Sequence, residues 1–417
     1  MVLKSHWFKA VLIVGTVVAS NYAALANPTL PSIPSGTYNI TSFGASTSSA
    51  NNATAIQNAI NAASAAGGGT VQIPSGTFLS GPFTLKNKIN LNLASGAILR
   101  MLAYGAYPGS TIFIDADGVS NVKISGSGTI DGQGAAWWTA YTASGNTLAR
   151  PGMIYINSCT NVQITGIKLQ NAPNVHLSFH YYCNEVTVDH MSISAPGTGA
   201  PNTDGIDSEG LNFLYDTCNI ADGDDNIAIT GMHAPAKYHT IQNCTFGVGH
   251  GCSIGSYTAD GVDHITVTNC TFSGTTAGIR IKSERGRGGV VQYLTYAYLT
   301  MNNVRNPIAL SDWYPSDPSN PTTDASAAVT STTPDFKHIV IENVRATGST
   351  SSTIYGLPEQ HISDVTLSNV QLSETGTFSI YYADSIVFNS GSTVTAASGN
   401  AVTTYAATVT GVTTHAY

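Results

Sequence analysis

Four short segments interrupt an otherwise apolar and hydroxyl-rich chain with ionisable groups: Asn202-Thr203-Asp204-Gly205, Gly223-Asp224-Asp225-Asn226, Gly249-His250-Gly251 and Arg280-Ile281-Lys282. Aligned on their apolar partners, Ile206, Ile227, Cys252 and Ile279 fall into one column. Asp204, Asp225, His250 and Ala277, two residues earlier, fall into another, at intervals of 21, 25 and 27 residues. If each interval is one turn of a stacked structure, neighbours in a column lie about 4.8 Å apart. Asp204, Asp225 and the adjacent Asp224 are then too close to ionise independently, and at least one carboxyl should keep its proton near neutral pH. A protonated carboxyl beside ionised ones is an acid and base pair suited to breaking a glycosidic bond. His250 can orient one of these carboxylates or stabilise its charge.

Arg280 and Lys282 alternate with Ile279 and Ile281, so strand periodicity sends both cations to the face that carries the acids. With Arg285 and Arg287 they place four basic residues within eight positions of a chain that has only 16 in all. Such a cluster on an acidic protein implies an anionic ligand. Asp204, Asp207, Asp222, Asp224 and Asp225 could instead supply oxygens to calcium. An imidazole and two cations in the same register would compete with that ion, so no metal and no cofactor is expected.

The elements that must hold these residues are read from a repeat. Short alternating strands end in an Asn-apolar-polar-apolar phrase, and aligning the phrases gives the column Ile167, Met191, Cys218, Cys244, Cys270, Leu299, Val344 and Val370. The intervals are 24, 27, 26, 26, 29, 45 and 26 residues. A period in the mid-twenties with strands and no helices between predicts an all-β, right-handed parallel β-helix. The long interval holds the excursion Pro315 to Pro334. Ile56 and Ile60, within Ala53 to Ala66 and ahead of Gly67-Gly68-Gly69, predict one short helix covering the open N-terminal end of the sheet. Cys218, Cys244 and Cys270 read as a buried ladder, and Cys159 and Cys183 as an equivalent pair, with disulfide pairing left open.

Lys4 and Lys9 precede a mostly apolar run that closes at Ala24-Leu25-Ala26, which predicts a secretory signal peptide over residues 1–26, cleaved after Ala26. The remainder, residues 27–417, is expected to be one secreted, monomeric catalytic domain. Its loss of two lysines takes the formal charge from -8 to -10, which repels nucleic acid and anionic membrane. Six cysteines are too few for a disulfide scaffold in a chain of this length, so the core must hold the fold.

With all four motifs present in order, the chain closely resembles the polygalacturonases of glycoside hydrolase family 28. The likeness extends to Ile130-Asp131-Gly132-Gln133-Gly134 with Trp137-Trp138, to Arg150-Pro151 and to Asn171-Ala172-Pro173-Asn174. The tryptophans are read as packing a coil end. The resemblance implies hydrolysis of α-1,4-linked galacturonic acid in polygalacturonic acid or pectin, with inversion and without a cofactor. By motif, Asp224 is similar to the general acid, Asp204 and Asp225 to the pair that activates water, and His250 to the histidine supporting the acid. Asn202, Arg280 and Lys282 fall among the substrate-binding positions, and Tyr314 resembles a substrate-contacting tyrosine. A carboxyl spacing near 5 Å is otherwise the mark of retaining enzymes. Water entering between two carboxylates and aligned by both would reconcile it with inversion.

Rival readings are an exo-acting polygalacturonase, a rhamnogalacturonan hydrolase, a calcium-dependent pectate lyase on a similar solenoid, and a non-catalytic polysaccharide-binding β-helix. The last has no reason to stack Asp, Asp, His and Arg on successive coils. Single-coil intervals through the charged motifs leave little chain to wall off a groove, which favours internal cleavage.

Overall fold

The computed structural model describes residues 26–109 and 111–417. The proposed leader falls almost wholly outside the described residues. From Thr37 to Ala416 the chain winds into a solenoid of parallel strands, each pairing with its counterparts in the coils before and after. Through the central coils three series run side by side. One contains Leu177–His180, Ile206–Ser208, Ile227–Ile229, Cys252–Ile254 and Ala277–Lys282. A second contains Asn184–Asp189, Gly210–Asp216, Ala236–Gln242 and Val262–Thr268, and a third Ser192–Ser194, Asn219–Ala221, Thr245–Phe246 and Thr271–Ser273. This is the right-handed parallel β-helix that the repeat implied.

The register agrees with the hand alignment at every position tested. Ile206 pairs with Ile227, Ile227 with Cys252 and Cys252 with Ile279. Lys168, Ser192, Asn219, Thr245, Thr271 and Thr300 are likewise paired in succession, which stacks Ile167, Met191, Cys218, Cys244, Cys270 and Leu299 one position earlier. All of these column residues are buried. The six cysteines are free thiols in the interior. They act as small apolar fillers of the coil.

The recurring asparagines mark corners. Asn161, Asn243, Asn269, Asn343 and Asn369 all have φ between 52° and 55°. That left-handed conformation is tolerated by Asn better than by other non-glycine residues. Their amides also bond from coil to coil, Asn269 to Asn243 at 2.6 Å and Asn369 to Asn343 at 2.8 Å.

Helix α1, Ala53–Ala65, buries Ile56 and Ile60 against the first coils. A second helix, α2 (Ala135–Ala143), breaks the expected run of strands and carries Trp137 and Trp138. The rings do not simply close a coil end. Trp138 donates from Nε1 to the carbonyl of Ala172 at 3.0 Å, pinning α2 to the Asn171-Ala172-Pro173-Asn174 turn. The excursion after Ser311 folds back on later coils. Tyr382 Oη donates to the Pro321 carbonyl at 2.6 Å and Tyr355 Oη to Asp324 at 2.7 Å.

Candidate active site

The three acidic and imidazole motifs are the turns that lead into consecutive strands of one series. Gly205 N–H donates to the Asp225 carbonyl at 2.9 Å, and His250 N–H to the Asp224 carbonyl at 2.6 Å, so the turns are laddered like the strands they precede. Buried uncharged groups fix their shape. Thr203 Oγ1 donates to the Ala200 carbonyl at 2.7 Å and accepts from Gly223 N–H at 3.0 Å, tying the first turn to the second. The Asn226 side chain donates to the Val248 carbonyl and accepts from Gly251 N–H at 2.9 Å, tying the second to the third. Gly249 sits at φ +134°, and a Cβ there would lie 2.4 Å from Asn226 Nδ2, so only glycine fits.

These turns gather the charged side chains along one cleft, whose lining includes Asn202, Asp204, Asp207, Asp224, Asp225, Lys282 and Tyr314. Asp225 is buried and charge-paired: Oδ1 accepts from Arg280 at 2.7 Å and Ser253 Oγ at 2.8 Å, and Oδ2 from Lys282 Nζ at 2.7 Å, which leaves one lone pair of Oδ2. Burial alone would raise its pKa, but the Lys282 and Arg280 charges outweigh that and hold it below the usual carboxylate value. Asp224 is more open, with His250 Nδ1 at 3.0 Å and Asn202 Nδ2 at 3.5 Å. Asp204 is pushed well above its ordinary value by burial and then by the charges of Asp207, Asp224 and Asp225. Burial and the neighbouring charges thus favour the neutral form of Asp204. Tyr314 stands over Lys282, its ring centre 5.2 Å from Nζ.

Two expected contributors to the basic patch are spent elsewhere. Arg285 forks onto Glu359 at 2.6 and 2.9 Å and stacks on Trp313, while Arg287 pairs with Glu284 at 2.5 Å. Of the four basic residues of that cluster, Arg280 and Lys282 are the two that pair directly with an acid of the site.

Several site residues were not singled out for the role they play. Arg150 bridges the carbonyls of Pro173 and Pro201 and holds Asn202 Oδ1 at 2.8 Å. Buried His176 accepts from Ala172 N–H at Nε2, so its Nδ1–H donates to the Asp204 carbonyl at 3.1 Å. Burial lowers its pKa to about 4, which keeps it neutral in that role. Asp222, a calcium candidate from sequence, instead accepts from Asp224 N–H at 3.1 Å and Asn226 Nδ2 at 3.2 Å, and shapes the double-aspartate turn. Asp207 faces the cleft beside Asp204, and its alternation with Ile206 was the available signal.

Burial raises the pKa of Asp207 to about 7, partly offset by His180. A carboxyl raised in the folded state favours folding fully below its unfolded value and loses that contribution as pH rises through the folded value. Asp204 and Asp222 are raised in the same direction. Thermal stability should therefore decline as pH rises from about 4 to 7, and Asp207→Asn should flatten the decline. Melting curves of the variant that run parallel to wild type across that range would show that Asp207 is not a source of it.

Known proteins resemble the chain in sequence and in fold. The family model of the glycosyl hydrolases family 28 matches residues 64–390. An endo-polygalacturonase of Pectobacterium parmentieri is 33% identical over 334 residues, which cover 73% of this chain and 79% of the relative. The solved polygalacturonase of Erwinia carotovora ssp. carotovora superposes with a TM-score of 0.65 at 28% identity, over 95% of this chain and 97% of the other. The exopolygalacturonase of Thermotoga maritima shares the fold, with a TM-score of 0.72 at 22% identity over 86% of this chain and 89% of that one. A β-helix with these motifs in this order, matched over most of its length, belongs to family 28 of the glycosyl hydrolases.

Proposed function

We propose that the protein is a secreted polygalacturonase that hydrolyses internal α-1,4-galacturonosidic bonds of polygalacturonic acid with inversion. Its substrate reading draws on its endo-polygalacturonase relatives. The observation that carries the residue roles is the division of labour between two adjacent aspartates, one locked by cations and one left open. Asp225 is held ionised by Lys282 and Arg280 and is placed to take a proton from water. Asp204, one coil earlier in the same cleft, offers a further oxygen to that water. Asp224 faces the open cleft with His250 at 3.0 Å; entering the cycle as the carboxylic acid, it gives its proton to the departing sugar oxygen and is left as the carboxylate. A water aligned by two stacked carboxylates needs no wide gap between acid and base, which accommodates inversion at this spacing.

Asn202, Tyr314 and the remaining N–H donors of Arg280 and Lys282 are assigned to the uronate ring and its carboxylate by charge-assisted hydrogen bonds. An acidic surface excludes nucleic acid and anionic membrane as partners by repulsion. Among the described residues no helix is long and apolar enough to cross a membrane. Residues 1–26 are assigned as the secretion signal and 27–417 as a single monomeric domain.

Internal cleavage is tested on polygalacturonate itself. Viscosity should fall early, while few reducing ends have formed, and the first products should be mixed oligomers. If viscosity instead tracks the release of monomer or dimer, the groove is closed at one end. The excursion from Pro315 to Pro334, which begins beside Tyr314, would then be the segment to shorten.

A further inference from the structure

Along the wall of the cleft a second set of side chains converges, on residues that the hydrolytic site does not use. His180 ends the strand Leu177–His180, Glu209 follows the strand Ile206–Ser208 one coil later, and His233 lies in the turn after Ile227–Ile229, one coil later again. Glu209 is wholly buried. Its Oε2 accepts from the N–H groups of Met232 at 3.2 Å and His233 at 3.0 Å, and its Oε1 from Tyr181 N–H at 2.9 Å. Both imidazoles aim Nδ1 at that same Oε1, His233 from 3.2 Å and His180 from 3.7 Å.

Hydrogen bonding alone leaves this arrangement incomplete. A carboxylate oxygen has two in-plane lone pairs. Tyr181 N–H takes one on Oε1 and His233 the other, so His180 Nδ1 is a buried nitrogen with no hydrogen-bond partner. A buried polar atom left in this way is costly. A single cation at the point of convergence removes the conflict, because it accepts lone pairs from both Nδ1 atoms and from the carboxylate at once.

We infer that His180, Glu209 and His233 form a binding site for a divalent zinc-class ion. The three ligand atoms lie within 4.8 Å of one another. Bonds of ~2.0–2.1 Å in a tetrahedron place ligand atoms about 3.3 Å apart, and the separations of 3.2 and 3.7 Å bracket that value. Two imidazoles and one carboxylate suit zinc better than calcium or magnesium, which prefer oxygen throughout. His180 lines the cleft, and side-chain exposures of 21% for His180 and 33% for His233 leave both rings partly open to solvent. The ion would cross-link three successive coils and fix the turns carrying Tyr181 and Met232 in the cleft wall.

The test is titration of chelator-treated mature protein with zinc chloride near pH 7.5, followed by calorimetry and by thermal melting. One zinc per chain should bind with micromolar or tighter affinity and raise Tm by at least ~2 °C. His233→Ala and, independently, His180→Ala should weaken binding at least ~10-fold and abolish the rise in Tm. Circular dichroism checks that each variant is folded. Asp224, Asp225 and His250 also bring ligand atoms together. Asp224→Asn should therefore bind zinc as wild type does. The inference is overturned if wild type binds no zinc at about 100 μM, if both histidine variants bind it undiminished, or if binding is lost in Asp224→Asn.

Discussion

Asp224→Asn is expected to fold normally and to lose at least ~100-fold in turnover on polygalacturonate, the lower end of the range for losing a general acid. Asparagine keeps the shape of the side chain, and its carbonyl can still accept from Asp225 N–H, the bond that Asp224 Oδ1 now makes at 3.0 Å. It cannot deliver a proton. The assignment has a sharper consequence than the loss itself. A substrate whose leaving group is a good one, such as an activated aryl galacturonide, needs little protonation, so the variant should recover much of its rate on it. The raised pKa of Asp204 makes that residue the competing candidate for the acid. If Asp204→Asn is rescued by the activated substrate and Asp224→Asn is not, the two roles must be exchanged.

The coil register was legible because it rests on a strict geometric fact. In a stacked solenoid every inward apolar position recurs at one coil, so Ile206, Ile227, Cys252 and Ile279 could be aligned without coordinates, and the pairing follows that alignment. Whatever sits two residues before an aligned position is then also placed. This is why Asp204, Asp225 and His250 could be brought together from spacing alone. Helix α2 escaped because Ala135–Ala143 lies between strands as an insertion, and its nearly all-round apolar character gives no helical stripe. Partners were less legible than positions. Arg285 looked like part of a substrate-binding patch, yet Glu359, 74 residues away in sequence, neutralises it. Arg150 and His176 were invisible as site residues for a related reason: of their bonds, all but the one from Arg150 to Asn202 Oδ1 are to backbone groups, which leave no mark in side-chain spacing. The pair His180 and His233 shares a carboxylate from a third coil, in turns whose lengths differ, so no fixed interval connects them.

Asp225→Asn should be as inactive as Asp224→Asn, by at least ~100-fold, but with a different signature. An activated leaving group should not rescue it, because water still has to lose a proton to something. Stability should fall as well. The variant keeps an acceptor for Ser253 but removes the carboxylate that Arg280 and Lys282 pair with directly, and breaking a buried pair in this way typically costs ~3–5 kcal/mol. The pH dependence has a definite sign. Asp225 is depressed in the folded protein, so its contribution is present above the unfolded value near 3.8 and is lost as pH falls through the folded value. The gap in Tm between wild type and variant should thus be full near pH 6 and close on acidification below about pH 4. Lys282→Met supplies the complementary test. Removing the first of the two charges that hold Asp225 down should let its pKa rise, moving the acidic limb of kcat/KM to higher pH while activity persists at the optimum. It should also raise KM more than removal of Lys337, which pairs with Asp335 outside the cleft. An unmoved acidic limb in Lys282→Met would mean that Asp225 is not the group whose ionisation the reaction requires.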